Sequence, residues 1–435
     1  MKEKNKREFW YELLTSSIAT TCLVLGGIFF LQQGSYGEAH ASSDSGTASQ
    51  GDMSSFMVLG DSIPFGYMAG YRGEDGVAIP QVDPRLVPHA WPKLVADQAG
   101  VAMNLPFYAS LDNLPDNLSV PGYTLNDVVT TPYSSLLGNE ATPLVLGYYN
   151  VLYGDRTPLE YLLAENPRTV AVMLGNNDVL GAAIRANTAL KTPISIFESL
   201  YRLMVSSLAD DTDRAIVVST LPDVSAIPFL QPVEDIFPSG IPSNIAFHFS
   251  EDGTIGPEYT IQETDYITLA GLEKLQHQLP LTKCPDSSAP SGTCVGEILT
   301  WSEVEEISEH TAGLNTAIQE IAAEYDNVAV MRFDQLFDNL KARGIVLQGE
   351  RYTLEYGGGL VSGDGIHPTK LGHGVLANEM IQTLNKNFGT DIQPILLHTM
   401  AEEEELAAGA HVPPVALNAE ALNNARRIFN GPETH

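Results

Sequence analysis

Cysteine and positive charge are both scarce in this chain. Its 435 residues include three cysteines, and 23 lysines and arginines stand against 54 acidic residues, which gives a net charge of −31. A surface this acidic repels phosphate backbones and anionic membranes, so it argues against nucleic acid as a partner. No segment has the D-x-[DN]-x-[DN]-G spacing of a calcium-binding loop, and the acidity therefore indicates a soluble, salt-tolerant surface.

Motifs of several common enzyme classes are missing as well. The sequence has no phosphate-binding loop, no His-Glu-x-x-His zinc motif and no Gly-x-Ser-x-Gly nucleophile elbow. Their absence excludes the α/β-hydrolase elbow as the basis of any activity. It also removes the usual sequence support for a bound phosphate or zinc ion.

The N-terminal apolar stretch is too short to cross a membrane. This stretch, residues 16–31, falls below the roughly 20 residues that a spanning helix needs. It follows a basic start and precedes Ala39-His40-Ala41, which has the small-x-small pattern of a cleavage site. We therefore predict a signal peptide over residues 1–41, a flexible linker over 42–52, and a secreted or periplasmic protein. An uncleaved membrane anchor is the alternative.

Removing that segment, which contains Cys22, leaves two cysteines. Cys284 and Cys294 flank a turn-rich stretch that can close a small loop. In an exported protein this spacing predicts a local disulfide. Two unpaired surface thiols are the alternative.

Short unbroken apolar runs indicate strands that are buried on both faces of a parallel sheet. Helical patterns alternate with these runs, which is typical of an α/β layer fold. The runs lie at residues 56–59, 170–174, 215–218 and 328–331. The helical patterns lie at about 92–98, 197–208 and 304–321 and after His367-Pro368, where the proline suits the first helical position.

The main domain is predicted over residues 53–395, with an insertion at 223–300 and an acidic tail at 396–435. The insertion is rich in Pro, Gly, Asp and scattered aromatics, and we expect it to lie over the sheet. The tail is expected to be peripheral, with a short helix at 419–429. The insertion's apolar side chains either line an acyl pocket or pack the insertion onto the core; they are Phe229, Leu230, Ile236, Phe237, Ile245 and Phe247.

A serine and a distant Asp–His pair are the candidate catalytic residues. Ser62 lies in Gly60-Asp61-Ser62-Ile63, directly after the first apolar run, where a strand would emerge into a turn. Asp364 and His367 are three positions apart, so the carboxylate can orient the imidazole while its other nitrogen takes the Ser62 proton. A serine that only caps a helix is the alternative for Ser62. His373 is interpreted as an ordinary helix residue.

Two further segments are candidates for binding an oxyanion. Asn177 follows the second apolar run, at the carboxyl end of a predicted strand, and its amide can donate a hydrogen bond. Gly122, in a proline–glycine turn, could bring a backbone N–H close to substrate because it has no Cβ. A plain turn without a chemical role is the alternative for each segment.

These segments resemble the blocks of the SGNH hydrolases, also called the GDSL lipase/esterase family. The four blocks occur in the family's order and cover residues from about 53 to 390; they are Gly60-Asp61-Ser62-Ile63, Asn117 to Gly122, Gly175-x-Asn177-Asp178 and Asp364-x-x-His367. The resemblance implies a three-layer α/β/α, flavodoxin-like fold with a parallel sheet of about five strands. The sequence departs from the family in having isoleucine at 63, where leucine is commoner, and in a long stretch between the third and fourth blocks.

The resemblance also implies the role of each residue. Ser62 is the nucleophile, His367 the general base and Asp364 its orienting carboxylate, while the backbone N–H groups of Ser62 and Gly122 and the side chain of Asn177 form the oxyanion hole. The predicted function is an exported serine esterase or lipase that works through an acyl-enzyme intermediate on small-molecule or lipid esters. It needs no metal, organic cofactor or obligatory protein partner.

Two alternatives to this function remain. One is a carbohydrate O-acetylesterase, since related folds serve both substrate classes. The other is a surface binding protein that keeps the fold without turnover. The intact set of serine, asparagine, aspartate and histidine argues against the binding protein, because binding alone needs no such set.

Overall fold

The computed structural model of the protein describes residues 51–71, 83–108, 114–133, 154–241, 247–249, 259–277, 279–284 and 294–408. The predicted signal peptide, all but the last two residues of the linker, and the predicted helix at 419–429 lie outside these residues. Within the described part of the chain, no helix is both long enough and apolar enough to cross a membrane.

A parallel four-stranded sheet in the order β1-β2-β3-β9 forms the centre of the fold. All four strands were predicted from unbroken apolar runs, and β1, β2 and β3 are buried along their whole length. The strands are β1 (Phe56–Gly60), β2 (Thr169–Met173), β3 (Ala215–Ser219), β4 (Leu230–Pro232), β5 (Phe247–Phe249), β6 (Tyr266–Thr268), β7 (Leu281–Lys283), β8 (Ile298–Leu299), β9 (Val328–Met331), β10 (Ile345–Leu347) and β11 (Glu350–Tyr352).

The described part of this sheet has four strands where about five were expected. On the free side of β1, residues 116–120 run parallel to it: the Val58 N–H donates to the Asp116 carbonyl at 3.0 Å, and the Val120 N–H donates to the Gly60 carbonyl at 3.1 Å. Only Val58 and Asn117 form a regular bridge there. The fifth position is therefore occupied by an extended segment that is too irregular to count as a strand.

Helices cover both faces of the sheet. The helices are α1 (Ser62–Phe65), α2 (Trp91–Ala99), α3 (Leu125–Thr130), α4 (Pro158–Glu165), α5 (Asn177–Ile184), α6 (Ile194–Ala209), α7 (Val233–Ile236), α8 (Leu269–Gln276), α9 (Trp301–Ala322), α10 (Phe333–Arg343), α11 (Lys370–Phe388) and α12 (Leu397–Ala408). Helix α11 packs on α2 and lies over β3 and β9, and α9 packs on α6 and lies over the same two strands. Since the two pairs cover the same strands, they form the outer layers of an α/β/α fold.

The four predicted helical segments correspond to α2, α6, α9 and α11. The last helix follows His367-Pro368 as predicted, but the proline is not its first residue: the helix begins at Lys370, and the Thr369 hydroxyl accepts a hydrogen bond from the Gly372 N–H as its N-cap. The proline therefore lies just before the cap. A threonine hydroxyl can satisfy an open N–H group there, which a proline cannot do.

The predicted insertion contains small sheets and its own apolar core. Strands β4, β6 and β8 form an antiparallel sheet, and β5 pairs with β7. Ile236 and Phe237 are buried in this second core, while Leu230 is buried in the main core and Phe229 is partly buried against both. For Leu230, Ile236 and Phe237 the packing interpretation is therefore confirmed; the side chains of Ile245 and Phe247 lie outside the described residues.

A disulfide joins Cys284 to Cys294, whose Cα atoms are 5.9 Å apart. The segment after it is attached to the C-terminal end of α5. The Asn187 side chain donates to the Cys294 carbonyl at 3.0 Å, and the Gly296 N–H donates to the Arg185 carbonyl at 2.8 Å. Insertion and main domain are thus connected by hydrogen bonds next to the disulfide.

The segment predicted as an acidic tail begins with a packed helix. Helix α12 lies on α11, with Leu397, Met400 and Ala401 buried. Asn378 in α11 bonds to both backbone groups of Ile395, at 2.7 and 3.0 Å, directly before α12. The start of this segment is therefore part of the fold.

Candidate active site

Ser62 lies at the carboxyl end of β1 as the first residue of α1, and it is fully buried. The preceding Asp61 caps this helix, because its Oδ1 accepts from the Ile63 N–H at 3.1 Å. Glycine is required at position 60 for space: an added Cβ would lie 2.2 Å from Pro64 Cγ and 2.8 Å from Ser119 Oγ. The tight turn after the strand thus depends on the glycine and the aspartate that precede the serine.

Asp364 holds His367 in one orientation. Its Oδ2 bonds to His367 Nδ1, and its Oδ1 accepts from the backbone N–H groups of Ile366 at 3.0 Å and His367 at 2.9 Å. Burial by itself would raise the pKa of Asp364, but attraction to His367 and these hydrogen bonds outweigh it and hold the pKa below its ordinary value. The other ring nitrogen, His367 Nε2, is buried and has no hydrogen-bond partner among the described residues.

The turn of Ser62 and the loop of His367 are in direct contact. The Tyr67 N–H donates to the Ser62 carbonyl at 2.9 Å, and the Tyr67 ring stacks on the His367 imidazole with centroids 4.2 Å apart. The Ser362 hydroxyl accepts from the Ala69 N–H at 3.0 Å and donates to Asp364 Oδ1 at 3.2 Å. The structure therefore brings the predicted nucleophile and the predicted Asp–His pair to the same place from about three hundred residues apart.

The two other oxyanion candidates lie beside each other. Asn177 is the first residue of α5, at the carboxyl end of β2, and its Nδ2 donates to the Tyr123 carbonyl at 2.8 Å. Gly122, the neighbour of Tyr123, has φ +83°, a conformation that favours glycine. Because an amide nitrogen carries two N–H groups, this hydrogen bond orients the Asn177 amide and leaves a second N–H to donate elsewhere.

Three further hydrogen bonds connect the turns to one another. Asn117 Nδ2 donates to the Pro64 carbonyl at 2.6 Å. Asn176 Nδ2 donates to Asp61 Oδ2 at 2.9 Å. The Leu125 N–H donates to Asp178 Oδ2 at 2.9 Å. Polar neighbours of the candidate residues thus fix the turns around Ser62, Gly122 and Asn177 relative to one another.

Two carboxyl groups in this network are fully buried. Burial raises the pKa of Asp61 to about 7, against the opposing hydrogen bonds from Asn176 and Ile63. Burial also raises the pKa of Asp178 to about 6, against the hydrogen bond from Leu125. The sequence interpretation gave neither carboxyl a role, although both belong to the blocks that carry the resemblance.

His373 is more than an ordinary helix residue. It lies in α11 but is fully buried, and its Nδ1 accepts from the Trp91 N–H at 3.3 Å. Burial, together with the nearby positive charges of His367 and His89, lowers its pKa to about 3. The side chain is therefore neutral beside the predicted general base. The sequence offers one signal for this: its spacing of three and seven from Leu376 and Met380 puts it on an apolar side of the helix.

Among the described residues, no group of three or more His, Cys, Asp or Glu side chains is arranged to hold a metal ion. The buried acids Asp61 and Asp178 bond instead to amide groups.

Several known proteins are similar to this chain. An acetyl xylan esterase from Geobacillus stearothermophilus is 13% identical over 77% of this chain and 96% of its own, with a TM-score of 0.34. A protein described as lipolytic and of the G-D-S-L family, from Desulfitobacterium hafniense DCB-2, is 13% identical over 76% and 99%, with a TM-score of 0.32. The α/β hydrolase LAE5 from the metagenome of Lake Arreo is also 13% identical, over 76% and 95%, with a TM-score of 0.32. No curated protein matches the sequence.

The sequence also matches a known protein family over most of its length. Residues 56–380 match the family of GDSL-like lipases and acylhydrolases, and this stretch includes all the candidate residues described above. A match over more than half of the chain establishes its membership: the protein belongs to the GDSL-like lipase/acylhydrolase family and is a hydrolase of carboxylic esters.

Proposed function

We propose that this protein is an exported serine esterase that acts through an acyl-enzyme intermediate, with Ser62 as nucleophile. The observation that carries the proposal is the arrangement around His367. Asp364 holds one ring nitrogen, and the other is buried beside the turn of Ser62 with no hydrogen-bond partner among the described residues. An imidazole in this state can accept a proton from a serine hydroxyl.

In the proposed first step, Ser62 Oγ attacks the ester carbonyl carbon and its proton passes to His367 Nε2. Asp364, whose lowered pKa keeps it ionised, stabilises the resulting imidazolium. The tetrahedral intermediate collapses, the C–O bond to the alcohol breaks, and His367 returns its proton to the leaving oxygen. Water then attacks the acyl-enzyme by the same route and releases the acid and the free serine.

We assign the oxyanion hole to the backbone N–H groups of Ser62 and Gly122 and to the side chain of Asn177. The hydrogen bond from Asn177 Nδ2 to the Tyr123 carbonyl supports this assignment, because it places the amide beside Gly122. Donors fixed before the reaction need no reorganisation when the negative charge develops.

The export part of the proposal is supported by the basic start, the apolar stretch and the cleavage pattern of residues 1–41. Retention by an uncleaved N-terminal anchor is the competing possibility. Mass determination of the mature protein distinguishes them, because cleavage near Ala41 removes about the first forty residues.

The central test compares the chain from residue 42 onward with its Ser62→Ala variant on p-nitrophenyl acetate, butyrate and palmitate. We expect the variant to lose at least about a thousandfold in turnover, because removing a nucleophile of this type has effects of that size. Equal rates in both proteins would mean that Ser62 is not the nucleophile. The preference for chain length then separates a deacetylase from an enzyme with an extended acyl groove.

A serine-directed phosphonate gives a second readout. The native protein should be labelled once, at Ser62, and Ser62→Ala should not be labelled at all. A native protein that binds ligands but neither reacts with the phosphonate nor hydrolyses esters would instead be a surface binding protein without turnover.

A further inference from the structure

One hydrogen bond joins the residue before the nucleophile to the residue before the oxyanion donor. Asp61 precedes Ser62, Asn176 precedes Asn177, and Asn176 Nδ2 donates to Asp61 Oδ2 at 2.9 Å. Both side chains are fully buried. The bond therefore connects two turns that are 115 residues apart in the sequence, at the point where each presents its functional side chain.

We propose that Asp61 and Asn176 form a positioning pair that fixes the distance between the Ser62 hydroxyl and the Asn177 amide. Neither member contacts the reacting atoms; the pair acts through its neighbours. The proposal depends on the proposed function, because it assumes that Ser62 and Asn177 work on the same substrate carbonyl.

The carboxyl group of Asp61 is suited to this task because its two oxygens hold different turns. Oδ1 accepts from the Ile63 N–H at 3.1 Å and fixes the start of α1, while Oδ2 holds Asn176. On the other side, the Asn176 Oδ1 atom is buried and has no hydrogen-bond partner among the described residues. The bond to Asp61 is thus the described contact that orients the Asn176 side chain.

Burying a carboxyl group at this position lowers the stability of the fold. Burial raises the pKa of Asp61 to about 7, and the negative charge of Asp178 adds to the effect. A neutral side chain of the same shape would avoid this cost. Groups that are kept at a cost to stability are typical of functional sites, where geometry matters more than stability.

The required precision explains why such a pair is useful. An oxyanion donor acts only when it lies within about 3 Å of the oxygen that becomes charged. A displacement of about 1 Å between reacting groups can reduce the rate by roughly a hundredfold. A direct bond between the two turns restrains this displacement more tightly than packing of the helices behind them.

The test measures kcat and KM on p-nitrophenyl butyrate for Asp61→Ala, Asn176→Ala, the double variant and Asp61→Asn. Each alanine variant should lower kcat about 10- to 100-fold with KM changed less than about twofold, since positioning affects the transition state more than binding. The double variant should lose no more than the slower of the two single variants, because the bond between the residues is already broken in each.

The conservative variant Asp61→Asn should recover most of kcat. Its oxygen can still accept from the Ile63 N–H, and its amide can donate to the unpartnered Oδ1 of Asn176 once that side chain turns over. A role that required the negative charge would show no such recovery.

Asn378→Ala is the matched control for lost hydrogen bonds. Asn378 is also a buried asparagine, and it bonds to both backbone groups of Ile395 away from the site. This variant should lower Tm and leave kcat unchanged. Asp61→Ala and Asn176→Ala variants that lower Tm in the same way but keep the native kcat would overturn the proposal, as would losses that multiply in the double variant.

The measurements still decide when a variant fails to fold and when the proposed function itself fails. If Asp61→Ala does not fold, the separation of kcat from KM in Asn176→Ala decides the question by itself: an unchanged kcat overturns the proposal. If native protein and Ser62→Ala hydrolyse esters equally, the proposed function has failed. If Ser62→Ala is inactive and both alanine variants keep the native kcat, only the positioning pair has failed.

Discussion

Buried titratable residues around His367 have pKa values shifted in different directions, and each direction suits its place. Attraction and hydrogen bonds lower the pKa of Asp364, so it is charged when His367 takes up a proton. Burial lowers the pKa of His373 to about 3, so this second imidazole adds no positive charge that would oppose the first. Burial raises the pKa of Asp61 to about 7, which reduces negative charge next to the serine below neutral pH.

Asn177→Ala tests the oxyanion donor. We expect kcat to fall about 100-fold or more while KM changes little, because the lost hydrogen bond is made to charge that develops only in the transition state. Steady-state kinetics on p-nitrophenyl butyrate measure both constants. Asn177→Asp fills the same volume but presents only acceptors, so it should be at least as slow. An Asn177→Ala protein with native kcat would contradict the assignment.

The buried His373 predicts how stability depends on pH. Its pKa is about 3 in the folded protein and 6.5 ordinarily, so between these values the unfolded chain binds a proton that the folded chain excludes. Stability from this residue is therefore complete above about pH 6.5 and is lost toward pH 3, by about 1.4 kcal/mol per pH unit.

His373→Gln removes this titration and keeps an acceptor for the Trp91 N–H. Between pH 7.5 and pH 5, urea unfolding should show that the native protein loses about 2 kcal/mol more than the variant does. The carboxyl groups of the site titrate in both proteins, so the difference reports on His373. If the two proteins lose the same free energy of unfolding, the His373 side chain already carries its proton, or stays exposed to water, in the folded state.

At the scale of elements, a strand or helix could be predicted where its own residues carry the pattern, and not where it forms through contacts with other segments. The strands of the main sheet follow from unbroken apolar runs, because strands buried on both faces need no polar alternation. Residues 116–120 lack such a run and become extended only by pairing with β1. Helix α12 was missed because the acidic run at 402–405 obscured the apolar contacts that Leu397 and Met400 make with α11.

The residues of the candidate site could also be predicted only in part. The four sequence blocks gave Ser62, Gly122, Asn177, Asp364 and His367 as candidates, and hydrogen bonds and a ring contact connect the turns that carry them. The contact between Asp61 and Asn176 joins two polar residues far apart in sequence, and no periodicity or spacing signals such a pair. Burial and pKa shifts are properties of the assembled fold, which is why the sequence left them open.

Glycine at the end of β1 is an element-scale prediction. Gly60→Ala should destabilise the protein by about 1–3 kcal/mol and reduce activity, because its Cβ would lie 2.2 Å from Pro64 Cγ and displace the turn that carries Ser62. Gly181→Ala is the control: its Cβ, inside α5, would meet only Leu190 Cβ, at 3.8 Å, so the change should stabilise the helix slightly. Thermal unfolding and turnover are measured for both variants. A Gly60→Ala protein as stable and active as Gly181→Ala would show that position 60 has room for a side chain.

At the scale of the whole molecule, two apolar cores are joined in one chain. The main core surrounds the parallel sheet, and the second lies under β4, β6 and β8 in the insertion. The insertion approaches the loop of His367 at Gly365, where an added Cβ would lie 3.0 Å from the Phe229 backbone nitrogen. It also contacts the C-terminal end of α5, the helix whose first residue is Asn177. Among the described residues, these contacts are routes by which the second core can affect the site.

Removing the disulfide tests how independent the insertion is. Cys284→Ser with Cys294→Ser opens a loop of sequence separation 10, and the lost chain constraint should cost about 2–3 kcal/mol. Hydrogen exchange should become faster in β6, β7 and β8, while the parallel sheet, which has its own core, stays protected. We expect kcat at 25 °C within about twofold of native, because the hydrogen bonds that hold α5 at Arg185 and Asn187 do not involve sulfur. A large loss of kcat with the sheet still protected would instead mean that the disulfide positions Asn177 through α5, and that the two cores act as one unit in catalysis.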